Sequence, residues 1–179
     1  MNRSALEHVL RAAAAITGES MFYVVGTAAI VASLRSEAAL PGAILRSREA
    51  DLVPACGSAR SIDHRRCVGT GFHFRWHTRL LCRCLEFSTV SYAPDGWRDR
   101  TIRFATAGTK GATGLCMEPH DLAISKLCAG REKDLTFVRG VIEAGLVEID
   151  LLFDRLGRVS APPEVLTLAR QRLQAFRSA

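Results

Sequence analysis

Two short stretches of this 179-residue chain combine residue types and spacing suited to phosphate chemistry. Gly26-Thr27 ends the apolar run Met21-Phe22-Tyr23-Val24-Val25, and Glu49-Ala50-Asp51-Leu52-Val53 follows. A glycine lets triphosphate oxygens approach the main chain, and a helix beginning at Thr27 would offer them N–H groups. Thr27 adds a hydroxyl donor. Acids one residue apart on a strand share a face, and such a pair suits Mg²⁺, which neutralises phosphate charge and orients the reacting groups. Singly, a Gly-Thr is most often a tight turn and an acid pair most often a solvated strand face. Their order and separation make the combination informative.

The elements that must hold these groups can be read from periodicity and punctuation. Leu6, Val9, Leu10 and Ala13 have the spacing of an amphipathic helix over residues 1–16, and Glu7 and His8 interrupt any signal-peptide core there. Met21–Val25 reads as a buried strand, Thr27 caps a second helix running to about Arg35, and Glu49–Val53 forms a strand closed by Pro54. Residues 85–92 and 101–106 read as an antiparallel pair joined by Pro94-Asp95-Gly96. The remainder is helical, with a start at Pro119, a break at Ala129-Gly130, an end near Gly145, and further helices over 148–155 and 164–176. Together these predict an α/β (α+β) chain with a small mixed sheet, flanking helices and a helical C-terminal part. The expected organisation is one domain over 1–179, its sheet in 1–110 and its helices in 111–179.

Bulk composition sets limits on partners and class. With 48% hydrophobic residues, the chain can bury a substantial core. No apolar run is long enough for a membrane span, so a cytoplasmic location is expected. A net charge of +6 is compatible with an anionic partner and equally with solubility alone. Six cysteines, Cys56, Cys67, Cys82, Cys84, Cys116 and Cys128, lack a Cys-x-x-Cys pair and are expected to be reduced structural thiols. His73 and His77 are four apart, as in a metal pair, but their stretch lacks helix signals. His120-Asp121 at a helix start reads better as a cap than as a general base, and Trp97 better as a core anchor than as a base-stacking platform.

Gly26-Thr27 followed by Glu49-Ala50-Asp51-Leu52, with Arg46-Ser47 leading in, resembles the signature of the nucleotidyltransferase superfamily. The segment 115–127, then Ala129-Gly130-Arg131-Glu132-Lys133-Asp134-Leu135, and the turn Asp95-Gly96-Trp97-Arg98 are similar to a bacterial nucleotidyltransferase-like family related to the AbiEii toxins. That resemblance implies transfer of a nucleotidyl group from a nucleoside triphosphate to a hydroxyl on tRNA, another RNA or a protein, and a toxin–antitoxin role with an antitoxin protein as partner. Carried onto this chain, it gives Glu49 and Asp51 as metal-binding and catalytic, Gly26 and Thr27 as phosphate-binding, and Lys126 and Arg131 as holding the triphosphate tail, with Lys126 also catalytic. Lys133 and Asp134 would pair locally or orient that cluster. A third carboxylate stays open between Glu86 and Asp99. The first acid is Glu49 where the family usually carries Asp, so the alternative is a degenerate, non-catalytic member that binds nucleotide, RNA or protein. Residues 64–84, rich in Arg, His and Cys, depart from the family's pattern and read as a local shift of reading frame. Resequencing the locus tests this: close relatives that encode Arg79-Leu80-Leu81-Cys82 in an intact frame would overturn it.

Overall fold

The computed structural model describes residues 1–34, 49–55, 73–75, 81–84 and 92–178, without the side chains of 49, 73–75 and 81–84. Helix α1 (Arg3–Thr17) begins where Asn2 Oδ1 accepts the Ala5 amide at 2.9 Å and stops at Gly18. It buries Leu6, Val9, Leu10 and Ala13, the stripe read from the sequence. Strands β1 (Met21–Val25), β2 (Glu49–Pro54), β3 (His73–Arg75), β4 (Leu81–Cys84), β5 (Ile102–Phe104) and β6 (Thr113–Cys116) form one mixed sheet in the order β3-β4-β2-β1-β6-β5. The central strand β1 runs antiparallel to β2 and parallel to β6. Helices α2 (Pro119–Ala129), α3 (Glu132–Glu143), α4 (Ile149–Leu156) and α5 (Pro163–Ser178) follow the sheet, in agreement with the expected α/β class.

The two sheet faces have different neighbours. Phe22, Val24, Leu52, Phe104 and Cys116 alternate onto a buried face. There α1 comes so close that a Cβ on Gly114 would meet Leu10 Cδ1 at 3.0 Å and Val24 Cγ2 at 3.1 Å. Burying each such large apolar side chain contributes about 2 kcal/mol, and this layer fixes where β1 ends. Tyr23, Val25, Asp51 and Val53 share the opposite face. Trp97 closes part of it by meeting Tyr23 edge-on, ring centroids 5.3 Å apart, and is the anchor its sequence context suggested.

Several local expectations need correction. The segment after Gly26 is a 3-10 helix, Thr27–Ser33, and Gly26, not Thr27, occupies its cap position, with no side-chain cap bond. Thr27 is its first residue. Strand β5 pairs with β6, and the strand expected over 85–92 lies, apart from Tyr92, outside the described residues. β6 was not foreseen as a strand, because it is four residues long with Gly114 inside. Asp121 does not cap α2. That task falls to Glu118, whose Oε2 accepts the His120 and Asp121 amides at 3.0 and 3.3 Å. Asp121 is fully buried instead, held by Arg100 at 2.8 and 3.0 Å and facing Arg155 Nε at 3.5 Å, so it clamps the 97–100 turn and α4 to α2. His120 is committed to structure as well: its Nδ1 lies 2.6 Å from Glu118 Oε1 and its Nε2 accepts the Glu148 amide at 2.9 Å.

Candidate functional site

The site is built around the end of β1. Antiparallel pairing sets Val25 opposite Asp51, so the acid lies beside the residue that leaves the strand, Gly26. Gly26 has φ 76° and ψ −169°, a region essentially restricted to glycine. A Cβ there would stand 2.8 Å from Asp51 Oδ2. Backbone conformation and carboxylate contact therefore both require glycine at this position. Asp51 is half-buried and its Oδ1 is shut off from solvent, a sheltered hard oxygen donor of the kind Mg²⁺ takes. Glu49 precedes it by two residues on β2, in register with Leu81 on β4. Alternation gives positions 49 and 51 one face, as expected, and the Glu49 side chain lies outside the described residues. Of the acid pair only Asp51 has a described carboxylate, and its sheltered oxygen is of the type a divalent cation accepts. Among the described residues no three His, Cys, Asp or Glu side chains gather into a metal cluster.

The two basic residues singled out in the sequence come together at a helix junction. Gly130, in the left-handed region at φ 65°, closes α2 by donating its amide to the Lys126 carbonyl, and Arg131 then takes the N-cap position of α3. One turn further, Asp134 is fully buried and accepts Lys126 Nζ at 3.1 Å and Arg131 Nε at 2.5 Å. Lys126 Nζ also lies 4.9 Å from the centre of the Phe137 ring. The Lys126 side chain is 12% exposed and the Arg131 side chain 63%, so Arg131 alone of the two reaches freely into solvent. Asp134 orients the cluster, one of the two roles expected of it, while Lys133 is exposed.

Electrostatics ties this junction to the strand end. The hydrogen bond to Asp134 raises the Arg131 pKa above its ordinary value, burial opposes it, and the charges of Asp134 and Asp51 add to the rise. Burial pushes the Asp134 carboxyl up, but hydrogen bonds from Arg131 and Lys126, with their charges, pull it below its ordinary 3.8.

A family model described as a nucleotidyltransferase of unknown function (DUF6036) matches residues 4–162. The chain belongs to that family. No curated protein and no solved structure matches it. The matched span carries Gly26, Thr27, Glu49, Asp51, Lys126 and Arg131 and stops just before α5.

The other candidates read from the sequence fall as follows. Asp99 is exposed on the 97–100 turn, and Glu86 and His77 lie outside the described residues. Cys116 and Cys128 are buried free thiols, pushed up by burial to about 12 and about 11, as structural thiols should be. Among the described residues no helix is long and apolar enough to cross a membrane.

The buried carboxylate generates a prediction of stability against pH. Because the folded pKa of Asp134 is depressed, its contribution is complete above the unfolded value of 3.8 and is lost as pH falls through the folded value. Asp134→Asn is expected to cost about 3 kcal/mol in urea unfolding at neutral pH, the low end for a broken buried ion pair because Arg131 retains water. The gap between variant and wild type should narrow below pH 3.8. A gap that stays constant down to the acid limit would contradict the assignment.

Proposed function

We propose that this chain transfers a nucleotidyl group from a nucleoside triphosphate to a hydroxyl on tRNA, another RNA or a protein, in a Mg²⁺-dependent reaction in the cytoplasm. The observation that carries the reading is the end of β1, where the Gly26 main chain lacks a Cβ beside the Asp51 carboxylate; the exposed Arg131, whose charged form Asp51 helps to favour, supports it. Glu49 and Asp51 hold the metal, and the Gly26 main chain and the Thr27 hydroxyl receive phosphate oxygens. Arg131 binds the triphosphate tail from solvent. Lys126, already bound to Asp134, adds its charge from a more enclosed position. When bound, Mg²⁺ neutralises phosphate charge and orients the reacting groups. The acceptor oxygen bonds to the α-phosphorus, the bond from that phosphorus to the β-bridging oxygen breaks, pyrophosphate leaves with the electron pair, and the hydroxyl proton passes to water. Positioning and charge stabilisation supply most of the acceleration in such transfers. The likeness of the 115–135 segment to AbiEii-related proteins supports a toxin–antitoxin setting, with an antitoxin protein as partner.

A second reading, nucleotide, RNA or protein binding without turnover, is favoured by two observations. Asp134 is shared by both cations, so three charges leave a surplus of only one positive charge for a triphosphate. The acid pair also begins with the longer Glu49.

Incubation of purified protein with labelled nucleoside triphosphates, Mg²⁺, tRNA and cell extract separates the readings. Transfer predicts a labelled macromolecule with wild type and at least a 100-fold loss with Asp51→Ala, on the order expected for removing a metal-binding carboxylate at a phosphoryl-transfer site. Absence of label with wild type, or equal labelling by the variant, would reject transfer. Calorimetric binding of a triphosphate without Mg²⁺ would then support the second reading.

A further inference from the structure

The junction that presents Arg131 is braced from outside the span matched by the family. Helix α5 follows Pro162-Pro163 and buries Ala169 and Leu173, four residues apart, against the rest of the molecule. Between them, Arg172 reaches back to α2. Its Nη1 donates to the Leu127 carbonyl at 3.0 Å, a group in the last turn of α2 that the helix itself leaves without an amide partner. Its guanidinium lies against Gly130, where a Cβ would collide with it. Its charge also reaches Cys128, lowering a thiol that burial otherwise raises. Arg172 therefore spans the stretch from Leu127 to Gly130, and the next residue is Arg131.

The local geometry explains why one side chain can have this influence. Gly130 must be left-handed to turn the chain from α2 into α3, and αL backbone without a Cβ is the least restrained point of the junction. A guanidinium packed on that glycine and bonded to the helix end restricts it. The amides that depend on the turn are specific: Gly130 donates to Lys126, and Asp134 and Leu135 donate to Arg131. Asp134 then fixes the Arg131 side chain, but only while the main chain of 130–131 stays in place.

We infer that Arg172 is a positioning residue: by sealing the end of α2 and packing on Gly130, it fixes the main chain that presents Arg131, so that helix α5 tunes the phosphate-binding cation without touching the ligand. This rests on the reading of Arg131 as a ligand for the triphosphate tail. Lys126, one turn inside α2 and enclosed, depends on it less.

The full chain with Arg172→Met, which keeps an unbranched stem for packing, provides the test, with the exposed Arg170→Met on the same helix as control. Titration with inorganic tripolyphosphate in the presence of Mg²⁺ should show about tenfold weaker binding for Arg172→Met, the size of one charge-assisted hydrogen bond, and no change for Arg170→Met. In an Arg131→Ala background, Arg172→Met should add nothing further. Full additivity of the two losses, or an equal loss in Arg170→Met, would overturn the inference. Hydrogen exchange gives a readout that needs no ligand. The amides of Gly130, Asp134 and Leu135 should lose protection in Arg172→Met while those of β1 keep theirs, and unchanged protection at the junction would overturn the positioning role whatever the binding result. Selective deprotection beside a wild type that binds no tripolyphosphate would sustain the brace and retire the phosphate-binding reading of Arg131.

Discussion

Position 26 has to lack a Cβ. The register of β1 against β2 sets Asp51 beside it, the carboxylate occupies the space a side chain would need, and the main chain takes a conformation only glycine tolerates. The rest of the site follows from this contact. The apolar face beneath, with Phe22, Val24 and Leu52 under α1, exists on β1 and β2 and so fixes the register that makes the contact. A one-residue slip would turn Asp51 into that core and Leu52 out of it.

Across the site, charge is arranged in alternation rather than as a basic patch. Asp51 lies within the field of Arg131, Arg131 and Lys126 share the buried Asp134, and Arg172 closes the junction from the other side. A buried carboxylate between two cations satisfies the desolvation requirement that a lone buried Lys126 would fail. It also leaves Arg131 the exposed member of the set. The arrangement offers one exposed cation and one sheltered cation around an acid, which suits a ligand carrying several negative charges and a metal ion.

How much of this was legible differs by element. Met21–Val25 and the acid strand were readable because β-branched and apolar runs end at glycine or proline, and the helices from Pro119 onward because proline and glycine mark their ends. The 3-10 character of Thr27–Ser33 was hidden: Thr-Ala-Ala-Ile-Val-Ala-Ser favours a helix, and only packing between the sheet and α2 decides its pitch. β6 was missed because four residues containing a glycine carry no period. The Asp134 role was half visible, since an acid three residues beyond Arg131 is a helical neighbour. Arg172 was invisible, because its partner Leu127 is a backbone carbonyl 45 residues away and no side-chain pattern encodes it. Likewise, the pairing of Asp121 with Arg100 and Arg155 comes from tertiary packing, while the sequence offered only a helix start.

Family membership accounts for the matched span, and the geometry gives that span a specific centre. The direct measurement is a crystal structure of the protein with Mg²⁺ and a non-hydrolysable nucleoside triphosphate. The expected result is phosphate oxygens beside the Gly26 main chain, with Asp51 facing the metal ion and the Arg131 guanidinium on the tail. A nucleotide bound away from β1, or a triphosphate at β1 with Arg131 turned from it, would contradict the account.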